Sequence, residues 1–222
     1  MEKRNFKYIS FGAGFLAAFV LWTVLVCFAD VKPVGPNGSS VGLSTLNSFV
    51  NRLIGAHMWL YVATDWLGLV PVAFCFGFAI LGLVQLIKRK SLFKVDGDIL
   101  ALGAFYIVVI AAYLLFEKFA VNYRPVLIDG FLEASYPSST TLLTLCVMPT
   151  AMMQLKARVK NAAVRKTILR AIAVFTAFMV LGRFISGVHW ASDIIGGIFL
   201  SGGLVSLYAF AFAKPNDRDE RA

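Results

Sequence analysis

The chain has 222 residues, of which 59% are hydrophobic and 15% charged, against about 45–50% and 25% in soluble domains. With 20 phenylalanines besides, the apolar content exceeds what one soluble core of this length buries, so a water-soluble fold does not fit and the surplus is assigned to lipid. The net charge of +9 would fit a nucleic-acid partner only if the basic residues shared one soluble face.

In chain order, apolar runs over 8–29, 60–87, 99–117, 168–187 and 191–213 each approach the roughly 20 residues that cross a hydrocarbon core. A sixth, over 138–155, begins polar at Ser138, Ser139, Thr140 and Thr141 and continues as LLTLCVMPTAMMQL, with Pro149 placed to kink it. The expected fold is therefore all-α, a six-transmembrane helical bundle. Its first span reads as an uncleaved helix, because its apolar run is longer than the 7–15 residues usual in a secretory signal. Between the first two spans, the stretch LSTLNSFVNRLIGAHMW sets Leu46, Phe49, Leu53 and Ile54 on one helical face, which predicts an amphipathic helix in the membrane interface or a surface helix capping the bundle. Cys27, Cys75 and Cys146 sit in different apolar runs and read as small buried hydrophobes. The chain reads as a single domain over 1–213 with a short cytoplasmic tail over 214–222.

Six spans put both termini on one side, and the loops then divide the basic residues unequally. Only Lys32, Arg52, Lys118, Arg124 and Arg183, of 21 in all, fall with the second group of loops. The asymmetry predicts cytoplasmic termini and outward-facing segments at 30–59, 118–137 and about 188–190 in the cell membrane. The positive charge is topological, and no nucleic-acid partner is expected.

The five outward basic residues matter because charge near hydrocarbon persists when it is paired or used. Three outward clusters stand out: EKFAVNYRP with Glu117, Lys118 and Arg124; EASYPSSTT from Glu133 to Thr141; and GRFISGVHWASD with Arg183, His189 and Asp193. His189 and Asp193 are four apart, so on a helix they share a face and the carboxylate can hold one ring nitrogen. The other nitrogen is then free as nucleophile or base. An adjacent arginine fits a phosphoryl group, which its planar guanidinium meets with paired donors. On spacing alone a structural Arg183–Asp193 ion pair, with His189 stacked nearby, remains an equal reading.

Arg183, five residues, His189, three residues and Asp193 resemble the third signature motif of the type 2 phosphatidic acid phosphatase superfamily. Arg124-Pro125 resembles the end of its first motif, and Pro137-Ser138-Ser139-Thr140 stands where the family usually has Pro-Ser-Gly-His. The resemblance implies a metal-independent and cofactor-free membrane phosphatase in which His189 attacks phosphorus to form a phosphohistidine and Asp193 orients it. Arg124 and Arg183 would clamp the phosphate, while Ser138, Ser139 and Thr140, with the amides that open the fourth span, complete the cradle. Lys118 takes the place of the family's motif lysine, but one residue closer to the Arg-Pro pair, a rotation of about 100° on a helix. Thr140 replaces the histidine that protonates the leaving group, a function worth about 10²–10⁴ in rate. That loss points to a lipid diphosphate such as a polyprenyl (undecaprenyl) diphosphate, whose phosphate leaving group departs without full protonation, or to phosphoryl transfer to an acceptor. A catalytically inactive binder of lipid phosphates is the alternative. Candidate replacement acids within the sequence are His57, Asp129 and Glu133, against the plainer readings of an interfacial histidine with a satisfied hydrogen bond and of solvated loop charges. Asp65, one turn into the second span, is placed to pair with an arginine of the site or within the bundle.

Overall fold

The computed structural model describes residues 2–213, and the predicted tail over 214–222 lies outside them. Among the described residues eight α-helices follow one another: α1 (Glu2–Phe28), α2 (Ser44–Ile54), α3 (Met58–Leu67), α4 (Leu69–Arg89), α5 (Gly97–Lys118), α6 (Ser139–Arg158), α7 (Ala162–Ile185) and α8 (Ala191–Ala213). Among the described residues the only β pairing is in isolated bridges, one of which joins Tyr123 to Ala134. Five helical segments among the described residues are long and apolar enough to cross a membrane: α1, α3 with α4, α5, α7 and α8.

The predicted second span is two helices that meet at Gly68, whose N–H is shared between the carbonyls of Thr64 and Asp65. Pro71 supplies the reason, since it has no N–H to offer the carbonyl of Leu67 one turn back. The segment expected as a sixth span forms α6, which runs through Pro149. This helix is the least apolar of the long ones and sits among its neighbours: it packs against α7, α8, α4 and α5, and buries Thr141, Thr144, Cys146, Thr150 and Gln154. Thr150 turns its hydroxyl back on the helix's own backbone, donating to the Cys146 carbonyl at 2.8 Å. A buried helix can therefore carry threonines that a lipid-facing one would expose.

Helix α8 lies along α1, with Gly202 and Gly203 directly beneath Phe15 and Leu16. Lipid tails are as apolar as leucine, so close packing of small residues rather than water exclusion holds such a pair. Tyr136 locks the next layer: it stacks on Phe19 at 6.2 Å, meets Phe116 edge-on at 6.0 Å, and its hydroxyl lies 2.7 Å from Thr23 Oγ1. Of the three cysteines only Cys146 is buried, and Cys27 is exposed at the end of α1, contrary to the expectation that all three are buried.

Candidate active site

Three connecting segments meet at one end of the bundle, between α2 and α3, after α5, and between α7 and α8. Residues 122–124 run antiparallel to 133–135, with Arg124 N–H donating to the Glu133 carbonyl at 3.0 Å and Ser135 N–H to the Asn122 carbonyl at 2.9 Å. This pairing brings Arg124 and Glu133 side by side. The third segment leaves α7 through Ser186 and turns at Gly187, whose φ of +67° and position against the Gly55 carbonyl leave no room for a side chain. His189 follows in the turn, and Asp193 lies in the first turn of α8, where its Oδ2 accepts from the Trp190 N–H at 2.9 Å. Asp193 thereby closes the start of α8 in the manner of a capping box, and its charge suits the helix N-terminus.

Arg124 and His189 line one cavity of about 240 Å³ with Glu117, Glu133, Tyr113, Tyr136 and Ser139. Arg124 Nη1 is 3.3 Å from His189 Nε2, and its Nε is 3.0 Å from Glu133 Oε2, close enough for an ion pair although the N–H is not aimed at that oxygen. His189 Nδ1 is 3.6 Å from Asp193 Oδ2, longer than a hydrogen bond, and among the described residues no other group takes it at bonding geometry. Burial first, then the charges of Arg124 and Arg183, hold His189 well below its ordinary pKa, so the ring is neutral and its Nε2 lone pair faces the cavity.

Arg183 is buried at the end of α7, with its Nη1 3.3 Å from Thr64 Oγ1 and its Nη2 3.4 Å from Asp65 Oδ1. The pairing open between the two acids is thus decided for Asp65, and Arg183 forms no ion pair with Asp193. Tyr61, which the sequence did not single out, joins the two arginines: Arg183 lies 4.7 Å and Arg124 5.7 Å from its ring centre.

The remaining expected phosphate ligands divide. Ser139 lines the cavity, while Thr140 lines an adjoining one of about 290 Å³ with Asp65 and Gly68; Tyr113, Ser139 and Leu142 are walls of both. Ser138 is fully buried, its N–H donating to the Asp193 carbonyl at 3.1 Å and its Oγ accepting from Thr141, so it frames the site rather than facing the cavity. Lys118 is corrected as well: its ammonium lies over the ring of Phe119, 5.7 Å from the centre, and Glu117 lines the cavity in its stead. Lys118 is the last residue of α5, and the chain from there to Arg124 is not helical. His57 bonds the Ile54 carbonyl and is exposed, and Asp129 lies exposed in a turn; neither lines the cavity.

A network from α2 supports the acid from behind. Asn47, fully buried, accepts from Ser192 N–H at 3.1 Å and donates to Ser192 Oγ at 2.9 Å and to the Gly42 carbonyl at 2.8 Å. Ser192 Oγ in turn donates to Asp193 Oδ1 at 3.3 Å, and Asn122 receives the Gly42 N–H at 3.1 Å. Asn51 donates to the Gly187 carbonyl at 3.1 Å. The available signal was the spacing of Asn47 and Asn51, four apart and therefore on one helical face.

A neutral histidine with a carboxylate behind it and an arginine before it is the equipment of a phosphoryl-transfer site. A sequence model of the PAP2 superfamily matches residues 99–217, more than half of the chain, and the chain belongs to that superfamily. Its fold is similar to the crystal structure of the first transmembrane PAP2 type phosphatidylglycerolphosphate phosphatase from Bacillus subtilis, with a TM-score of 0.59 and 16% identity over 95% of this chain and 96% of that one. At that identity the likeness is one of fold. No curated protein matches the sequence. With its apolar helices and this family, the protein is a membrane-embedded member of a phosphatase superfamily.

Proposed function

We propose that the protein is a membrane phosphatase that hydrolyses lipid phosphates, with a preference for lipid diphosphates, through a phosphohistidine on His189. The observation that carries this reading is the 3.3 Å approach of Arg124 to the Nε2 of a buried, neutral His189 at a cavity wall. A phosphoryl group seated on Arg124 is brought beside Nε2, and α6 starts at the same cavity with Ser139, where a helix N-terminus offers amide donors to an anion. Asp193 then accepts a hydrogen bond from the Nδ1–H and stabilises the imidazolium as the N–P bond forms. No histidine besides His189 lines the cavity, which favours a leaving group that needs little protonation. A lipid diphosphate supplies one.

In this reading a single domain over 1–213 crosses the cell membrane six times, α6 being the sixth crossing, with cytoplasmic termini and an outward-facing site. Helix α2 lies in the outer interface. Its Asn47 and Asn51 turn inward while Leu46, Phe49 and Leu53 are exposed, the reverse of a helix facing water. Thr140 supports a second reading, a catalytically inactive relative that binds lipid phosphates. Phosphate release from farnesyl monophosphate and farnesyl diphosphate by the purified protein, beside a folded His189→Ala variant, separates them. The enzyme releases phosphate, faster from the diphosphate, and loses it with His189. Unmeasurable turnover with retained lipid-phosphate binding is the mark of the binder, and a lipid acceptor that gains the phosphoryl group marks a phosphotransferase.

A further inference from the structure

The site as described has a nucleophile and its supporting acid but no proton donor, and the cavity itself narrows the choice. Its titratable walls besides Arg124 and His189 are Tyr113, Glu117, Glu133 and Tyr136. A phenol, ordinarily near pKa 10, is a poor donor near neutral pH. Tyr136 is poorer still, since its hydroxyl is engaged with Thr23 and burial pushes it above the ordinary phenol range. Asp65 lines the adjoining cavity and is paired with Arg183. Of the two glutamates, Glu133 is the one held at the reacting centre: one guanidinium separates its carboxylate from the nucleophile, 3.0 Å to Arg124 Nε on one side and 3.3 Å from Arg124 Nη1 to His189 Nε2 on the other.

We infer that Glu133 is the general acid and base of this site, in place of the histidine absent at position 140, and that it serves substrates with a basic leaving oxygen. The assignment rests on the phosphatase reading above. The Glu133 carboxylate occupies an edge of Arg124. A phosphoryl group that takes over Arg124 displaces the Glu133 carboxyl from the guanidinium and leaves it beside the leaving oxygen. As His189 Nε2 forms the N–P bond, the P–O bond to the leaving group breaks with its electron pair on oxygen, and that oxygen takes the Glu133 proton. A water then attacks phosphorus and gives a proton to the Glu133 carboxylate. The N–P bond breaks with its pair returning to Nε2, leaving inorganic phosphate, neutral His189 and protonated Glu133.

The test compares farnesyl monophosphate and farnesyl diphosphate, which share a chain and differ in leaving group, with full-length wild type, Glu133→Gln and Asp129→Asn. Glu133→Gln is expected to lose about 10²-fold or more in kcat/KM on the monophosphate and less than about tenfold on the diphosphate, with the loss in kcat. Asp129→Asn, in the exposed turn, matches wild type on both. Should the Gln variant fail to fold, Glu133→Asp, which keeps the charge and shortens the reach, must give the same selective loss. An equal loss on both substrates, a change in KM alone, or no loss on the monophosphate overturns the assignment and leaves the phosphatase reading standing. A wild type that releases phosphate from neither substrate overturns both.

Discussion

Asn47→Ala tests whether a helix outside the core of the site sets the geometry of its acid. The substitution removes three hydrogen bonds, at 2.8, 2.9 and 3.1 Å, from a fully buried side chain. It leaves the Ser192 N–H and the Gly42 carbonyl without those partners in a region closed to water. Each buried polar group so orphaned costs about 1–3 kcal/mol, so a loss of about 2–4 kcal/mol is expected for the two after partial relaxation. Ser192 also loses the acceptor and donor that fix its hydroxyl on Asp193 Oδ1, so kcat should fall more than KM changes. Thermal unfolding of the detergent-solubilised protein reads the first effect, and steady-state phosphate release reads the second. Asn47→Asp, which keeps the acceptor for the Ser192 N–H and loses the two donated bonds, should recover part of kcat. Unchanged unfolding and kinetics in Asn47→Ala would refute the reasoning, as would a stability loss with kcat untouched for the link to Asp193.

Arg124→Ala should lower kcat/KM on farnesyl diphosphate by about 10–10²-fold, the worth of a charge-assisted contact of about 1.5–3 kcal/mol, while Lys118→Ala, whose ammonium lies over Phe119, stays within about twofold. Gly187→Ala should destabilise strongly and reduce yield of folded protein, because φ is +67° and a Cβ would sit 1.8 Å from the Gly55 carbonyl oxygen; normal expression and melting would count against the turn as drawn. Stability should also fall on acidification through His189. The unfolded chain takes up a proton as pH drops through about 6.5, whereas the native ring, held well below its ordinary value, does not. Below that pH and down to the folded value, the slope approaches about 1.4 kcal/mol per unit in favour of unfolding. Melting temperatures of wild type and His189→Gln between pH 7 and 5 should therefore diverge, with the wild type losing more.

The all-helical, membrane-bound character and the approximate ends of the apolar helices were legible in the sequence, because a lipid-facing helix must be apolar along its whole length and local composition records that directly. The spacing of Arg183, His189 and Asp193 was legible too, since turn and helix geometry over eleven residues is local. Tertiary structure decided what depends on distant chain segments. It carried Glu133 to Arg124 through the pairing of 122–124 with 133–135, set Tyr61 beside two arginines, and gave Arg183 to Asp65. It also turned Lys118 and Thr140 away from the cavity that holds His189. The polar residues of a membrane protein find partners wherever the helices bring them, across 145 positions for Asn47 and Ser192. No periodicity in the sequence encodes such a distance, whereas burial without water makes each of those partnerships obligatory once the bundle has formed.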